Sequence, residues 1–573
     1  METANEAPKT QGLKFGIDLG TTYSSIGWYN PDTHQVQVAM LDSAQGTHLL
    51  PSAIYVEGPE NVVVGNAAIH AGLQKPERLF RWFKRNMGNP PDPSHILDKR
   101  QWDPVECSAE ILKTLKKEAE PNFSAEVKDV IITFPAWFDN RQKALTHEAA
   151  EKAGLNVIRM MEEPQAAALA YVIEEALRRA AQQSQNLTDL SQLIPEIIKA
   201  MAGGDQVEAR RKAVMVFDLG GGTFDVALVQ AWGEPAPDGT TKLHIKTLCN
   251  DGDITLGGKN WDDEIKQLVS TEDQAQHAHN FNDDSQAGRM DDACEQAKRD
   301  LARLTKVTVL CTKNHSIELT REFVTTKTNG LLDRARQISE NVIARAQNEF
   351  GVPKENITLL LSGGMCRWPA VTEMLTKLMD GRAPTVPRNV DLMVTYGAAY
   401  LAYLTVTVEE RAAKAAQTQA AEKAPDKKVP PGPVIGARAG GGISFVEHEA
   451  PYPAIGIELA DQKNRTRHYV SRLIPTAPKI GEYYEGVYGT LDDDQTEVNI
   501  TIYFLKEREG HKDDETDFAA WEKYETFTIS GLPPMLAGQP IKANLKYIEG
   551  GIIEGKAWDT TGKEVKITGK AIC

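Results

Sequence analysis

An internal repeat limits the folds open to this chain more than any other feature. The segment Phe15-Gly16-Ile17-Asp18-Leu19-Gly20-Thr21-Thr22-Tyr23 returns as Val216-Phe217-Asp218-Leu219-Gly220-Gly221-Gly222-Thr223-Phe224-Asp225, with the two leading Asp residues 200 positions apart. Each copy reads as an apolar strand with Asp at its tip, a turn of Gly and Thr, and a second strand over 24–29 or 226–229. The residue types suit one chemistry. Gly lets backbone N–H groups approach a phosphate with no Cβ in the way, and Thr hydroxyls add donors. An Asp at a strand end can hold a hydrated Mg²⁺, which keeps several of its waters. Two such hairpins facing each other would clamp a polyphosphate.

Neither copy is a Walker A loop. The nearest competitor, Gly252-Asp253-Ile254-Thr255-Leu256-Gly257-Gly258-Lys259-Asn260, has an extra Gly and no Ser or Thr after its Lys. A third glycine turn lies in Thr358-Leu359-Leu360-Leu361-Ser362-Gly363-Gly364-Met365-Cys366-Arg367-Trp368-Pro369, where a buried strand ends and a helix begins near Pro369. Gly-Gly permits close approach of a flat ligand, and Arg367 can stack on an aromatic base.

Up to about residue 405, strand patterns (13–18, 130–134, 213–218, 357–361) alternate with helix patterns (108–119, 141–153, 332–350), which predicts an α/β architecture. Residues 174–212 read as a polar helical insertion, a solvated surface excursion. Residues 406–451 turn Ala/Lys/Glu-rich and then Pro/Gly-rich, the composition of a flexible linker. Beyond it, short alternating runs such as 498–504 and 524–529, split by turn signals including Leu532-Pro533-Pro534, predict a β-sandwich over 452–573.

Composition narrows the partners. With 573 residues the chain holds several domains, and 64 Lys+Arg against 80 Asp+Glu give a net charge of −16, which opposes nucleic-acid binding. The cysteines Cys107, Cys249, Cys294, Cys311, Cys366 and Cys573 form no C-x-x-C pair, so neither zinc nor a disulfide framework is indicated. The first residues are polar, and no apolar run approaches the roughly 18 residues that span a bilayer. The expectation is a cytoplasmic protein with no membrane partner.

The chain resembles the 70-kDa heat-shock protein (DnaK) chaperone family of the actin-like ATPase superfamily. GIDLGTTYSS, FDLGGGTFDVAL, VIITFPAWFDNRQKAL, MEEPQAAALAY, GDITLGGKNWDDE, ACEQAKRDL and LLLSGGMCRWPAV follow one another as in that family across residues 13–405, with a weaker likeness over about 453–573. The resemblance implies a two-lobed actin-like (ribonuclease H-like) ATPase domain over 13–405, a linker, and a β-sandwich that holds substrate peptides. It implies ATP/ADP and Mg²⁺ as ligands. Gly20, Thr21, Thr22, Tyr23, Gly220, Gly221, Gly222 and Thr223 would line the phosphates, with Asp18 and Asp218 near the metal through water. Lys84 would position the attacking water, with Glu163 and Thr223 completing the catalytic centre, and Pro135 and Glu163 would relay nucleotide state outward. Gly257 and Gly258 would contact the nucleotide, while Glu295, Lys298, Gly363, Gly364, Arg367 and Asp391 would hold the nucleoside. From the residues alone, Lys84 reads as a snorkelling surface lysine and Glu295/Lys298 as a surface ion pair.

Departures from the family pattern stand beside the matches. Ala302 replaces a Ser on the adenosine side, Lys143 stands for an Arg, and Cys366 and Trp368 replace smaller residues. The short apolar interdomain linker gives way to residues 406–451, with Ile443-Ser444-Phe445-Val446 as a faint analogue, and no helical-lid pattern follows the β region. Val498 and Ile500 are candidate peptide contacts, or sandwich core. The implied activity is slow, partner-stimulated ATP hydrolysis that controls binding of unfolded or extended peptides, with a J-domain co-chaperone and a nucleotide-exchange factor as partners. A small-molecule kinase and a filament-type or scaffolding ATPase on the same fold are the alternatives.

Overall fold

The computed structural model describes residues 13–405 apart from 44–45, 60, 91, 183–189, 191–212, 236–240, 278–283 and 312–314. Beyond these it describes 443–448, 455–460, 468–474, 482–489, 494–505, 521–535, 537, 539–548, 552–559 and 561–568. The chain divides into two compact units, Met1–Trp137 with Ala149–His448, and Phe138–Glu148 with Glu449–Cys573.

In the first unit the sequence repeat becomes a structural one. Strand Lys14–Leu19 pairs antiparallel with Tyr23–Asn30 through the first turn and parallel with Asp129–Phe134, which pairs parallel with Asn156–Glu162. Strand Ala213–Leu219 likewise pairs antiparallel with Phe224–Pro235 and parallel with Ile357–Ser362. The registers correspond: Asp18 lies opposite Ser25, and Asp218 opposite Asp225. The strands of the second copy are apolar at successive positions because both faces are covered. Met215, Phe217 and Leu219 pack with Trp261, Ile265 and Val342 on one face. Val214 and Val216 pack on the other with Ala167, Ala170 and Leu401.

That second cluster also contains Tyr29, Ile131 and Met161 of the first sheet, so helices Glu163–Gln182 and 393–405 lie between the two sheets. Small residues make this packing close. A Cβ on Gly16 would collide with Ala398 and Ala399 of the later helix, and one on Gly397 with the Ala166 backbone.

Part of the stretch expected to be linker is a strand. Ile443–His448 pairs parallel with Thr241–Lys246 of strand Thr241–Asp253, at the edge of the second sheet; residues 406–442 lie outside the described residues. The expected insertion at 174–212 begins as a direct continuation of helix Glu163–Gln182, and most of the rest lies outside the described residues.

Among its described residues the second unit holds eight strands in the spatial order His468–Ile474, Ile455–Ala460, Gln495–Leu505, Trp521–Met535, Glu564–Thr568, Ile552–Trp558, Pro540–Ile548, Tyr484–Gly489, each described pair antiparallel. Its core includes Ile457, Ile502, Phe527, Ile529 and Leu545. Leu532-Pro533-Pro534, expected as a turn between strands, sits inside the single strand Trp521–Met535. The pairing steps from Ser530 opposite Glu497 to Met535 opposite Gln495, so the two prolines, lacking N–H donors, fall in the irregularity.

Replacing Gly16 or Gly397 by Ala overpacks the helix–sheet contact and is expected to cost about 1–3 kcal/mol or more of stability. Thermal unfolding of the two variants checks this; an unchanged melting temperature contradicts the packing described.

Candidate active site

The two Gly/Thr turns meet. A Cβ on Gly221 would stand 2.6 Å from Thr22 Oγ1, and one on Gly222 would stand 2.7 Å from Thr21 Cγ2. The second turn is closed by Gly220 N–H donating to Thr223 O at 3.1 Å. A third segment locks onto it: Gly258 N–H donates to Gly220 O at 3.0 Å and Lys259 N–H to Gly221 O at 2.8 Å, while a Cβ on Gly257 would stand 2.5 Å from the Gly222 carbonyl carbon. Thr22 Oγ1 is buried and finds no hydrogen-bond partner among the described residues.

Beside the turns lies a cavity of about 1010 Å³ lined by Asp18, Glu163, Asp218 and Asp225. Lys84 approaches from behind. Trp82, in the left-handed region at φ 55°, ends the strand Leu79–Arg81 and starts the 3₁₀ turn Phe83–Asn86. That turn buries Lys84 to 2% exposure, so it is not a snorkelling surface residue. Its Nζ donates to Glu163 Oε1 at 2.8 Å and to the Leu19 carbonyl at the tip of the first strand. Glu163 opens helix Glu163–Gln182, directly after strand Asn156–Glu162.

The carboxylates repel one another in a desolvated place. Burial, then the charge of Glu163, pushes Asp18 up to about 8 and Asp218 up to about 7, and burial drives Asp225 well above the ordinary carboxylate range. Thr133 Oγ1 lies 3.4 Å from Asp18 Oδ1, Ser362 Oγ donates to Asp218 Oδ2 at 2.9 Å, and the Thr223 hydroxyl bonds Asp225. An all-oxygen, acid-rich set beside the buried Lys84 fits a hard divalent cation. Among the described residues no three acidic, His or Cys side chains converge as direct ligands of one ion.

The candidate nucleoside residues Glu295, Lys298, Gly363, Gly364, Arg367 and Asp391 line the same cavity, and the charged ones are engaged with protein partners. Glu295 accepts from Arg299 at 2.6 Å and Tyr23 at 3.3 Å, and lies 3.5 Å from Arg81 Nη2. Against burial, the charges of Arg299, Lys298 and Arg81 hold its carboxyl below its usual range, and Tyr23 is pushed up to about 12 by burial and then by Glu295. Lys298 does not form a surface pair with Glu295: it is buried against Asp262 at 2.8 Å and Gly258 O at 3.1 Å. Arg367 pairs with Asp391 at 2.5 Å. Gly363, at φ 85°, has no room for a side chain, since a Cβ would stand 2.5 Å from Asp218 Oδ1; Gly364 follows it in the cavity wall. Ala302 lines the same space, and the buried Cys366 Sγ–H donates to Ser362 O at 2.8 Å.

Sequence reasoning missed Asp225, Arg299, Asp262 and Ser362. Asp225 was within sight as the last residue of the second repeat, and Arg299 stands four residues after Glu295 on the helix Asp284–Leu301. Asp262 and Ser362 carried no local signal. In the second unit, Ile500 is buried in the core and Val498 packs against it.

The model of the family described as "Hsp70 protein" matches residues 14–412, more than half of the chain. The chain belongs to the Hsp70 family of ATP-binding chaperones. Among curated proteins it is 28% identical over 571 residues to "Chaperone protein DnaK" of Thermotoga neapolitana, an alignment covering 97% of this chain and 80% of that protein. The match to "Chaperone protein DnaK" of Thermosipho africanus is 28% over 561 residues, covering 96% and 78%. The Hsp70 match spans both turns, Lys84, Glu163 and the nucleoside-side residues, all within the first unit. Among the described residues no helix is long and apolar enough to cross a membrane.

The raised carboxyls make a pH prediction. An unfolded Asp ionises near pH 4, roughly. Between there and about 7 the ligand-free folded protein holds more protons at Asp18 and Asp218 than the unfolded chain does. The contribution of these groups to stability therefore falls as pH rises through that window. Thermal melts across the window, with Asp218→Asn expected to flatten the slope, check it. An identical slope in the variant contradicts the assignment.

Proposed function

We propose that this Hsp70-family chain hydrolyses ATP between its two Gly/Thr turns and uses the nucleotide state to control binding of unfolded or extended peptides by the β unit. The observation that carries the reading is the buried Lys84, held at once by Glu163 and by the carbonyl at the first strand's tip. In this reading residues 13–405 form a two-lobed ATPase domain, each turn belonging to one lobe, and residues 452–573 form a β-sandwich that takes the peptide.

The backbone amides of residues 20–23 and 220–223, with the Thr21, Thr22 and Thr223 side chains, bind and orient the polyphosphate. The Thr22 hydroxyl, without a partner among the described residues, supports this, since a phosphate oxygen would satisfy it. Asp18 and Asp218 would hold a hydrated Mg²⁺, which supplies positive charge to the developing phosphate anion. Lys84, kept in place by Glu163, orients a water for in-line attack, and Asp218 or Asp225 would take up its proton. Gly363, Gly364 and Arg367 border the nucleoside. Because positioning and electrostatics do most of the work, turnover is slow until a partner adjusts the geometry, which is where a J-domain protein and an exchange factor enter.

Lys84→Ala is expected to lower kcat by about 100-fold or more, the scale for loss of a preorganised catalytic donor, while ATP affinity changes by less than about 10-fold. Single-turnover hydrolysis with separate nucleotide titration checks this; undiminished turnover rejects the role of Lys84. ATP turnover by the full chain should rise when an extended apolar peptide or a J-domain protein is added. The same slow rate with and without both would remove the chaperone coupling and favour a scaffolding ATPase, and phosphorylation of an added small-molecule hydroxyl would favour a kinase.

A further inference from the structure

The turn that delivers Lys84 also delivers Arg85, to which nothing above assigns a task. Arg85 N–H donates to Trp82 O at 3.1 Å, and the next residue but one, Met87, closes the same turn onto Lys84 O at 3.1 Å. Consecutive side chains therefore leave one 3₁₀ turn in different directions. Lys84 reaches Glu163 and the first strand's tip. Arg85 reaches the second phosphate turn: a Cβ on Gly222 would stand 3.3 Å from both its Nε and its Nη2, on a glycine that also meets Thr21.

The guanidinium is poorly satisfied there. Its Nε and Nη2 are buried and have no hydrogen-bond partner among the described residues. The acids whose charge acts on it are Asp253 and Asp263, and both are committed elsewhere, Asp253 to Arg334 and Asp263 to Lys259. Burial accordingly outweighs those two charges and lowers the affinity of Arg85 for its proton. A buried donor without an acceptor costs free energy unless an anion shares its surroundings in the working state. The turn against which Arg85 packs is built to receive one.

We propose that Arg85 is a positioning residue for the terminal phosphate of bound nucleotide, acting through the Gly221-Gly222 turn. This rests on the reading of the cavity as an ATP site. Arg85 is not among the residues lining that cavity, so it works from behind the turn. Its side chain backs the Gly222 peptide, and its charge adds positive potential at the end of the polyphosphate nearest Lys84. A triphosphate, with the greater charge at that end, gains more from it than a diphosphate does.

The test compares the full chain with Arg85→Ala and Arg85→Lys, titrating each calorimetrically with Mg²⁺-ADP and with the β,γ-imido analogue of Mg²⁺-ATP. Arg85→Ala should lose about 10-fold affinity for the triphosphate analogue and less than about 3-fold for ADP, and Arg85→Lys should recover part of the difference. ATP turnover should fall by about 10- to 100-fold in the Ala variant and less in the Lys variant. Equal losses for both nucleotides, no loss for either, or a Lys variant as impaired as Ala would overturn the proposal. Should Arg85→Ala fail to fold, Arg85→Gln takes its place in the same comparison. A wild-type chain that binds neither nucleotide rejects the ATP-site reading itself, an outcome distinct from nucleotide-binding wild type with indifferent Arg85 variants.

Discussion

The close meeting of two turns governs the rest of the first unit. Thr21 and Thr22 press against Gly221 and Gly222 so closely that no Cβ fits at either glycine. For that to happen, two strand hairpins 200 residues apart in the chain must be held in fixed relation. The Ala-rich helix Glu163–Gln182 and the helix 393–405 do this by packing between the sheets, with Gly16 and Gly397 removing the bulk that would separate them. The core and the site are thus one construction: small residues inside set the spacing of the turns outside.

The same helix also fixes the buried lysine. Glu163, at its first position, fixes Lys84. Its neighbour Glu162 accepts from Thr247 at 2.6 Å and from Gln165 at 3.2 Å. Thr247 belongs to the strand Thr241–Asp253, whose free edge takes the strand Ile443–His448. Buried hydrogen bonds of this kind are stiff, because an unmade one inside the protein is costly. A continuous set of contacts within the first unit therefore joins Lys84 to the strand Ile443–His448.

Much of this was legible in the sequence, and the reasons are local. The repeated Asp-Leu-Gly turn could be read because its chemistry is written in consecutive residues, and the strands around it because their apolar runs are long. Lys84 could not be placed from Trp82-Phe83-Lys84-Arg85 alone, since its burial depends on a left-handed Trp82 and on Glu163 far along the chain. Glu295 and Lys298 share a helix face as expected, but Arg81 and Asp262, which they also meet, come from other elements. The strand Ile443–His448 reads as linker in the sequence because parallel pairing with residues 241–246 leaves no local trace. Pro533-Pro534 reads as a turn until the partner strand shows that a bulge can absorb both residues.

The central claim is that the two turns act as one clamp on a polyphosphate. A double-mutant cycle measures it: Mg²⁺-ATP affinity of the wild type, Thr22→Ala, Thr223→Ala and the double variant. If both turns grip one ligand, the second substitution should cost clearly less once the first has loosened the clamp, with a coupling of about 0.5 kcal/mol or more. Strictly additive losses, or a loss confined to one turn, would contradict the account.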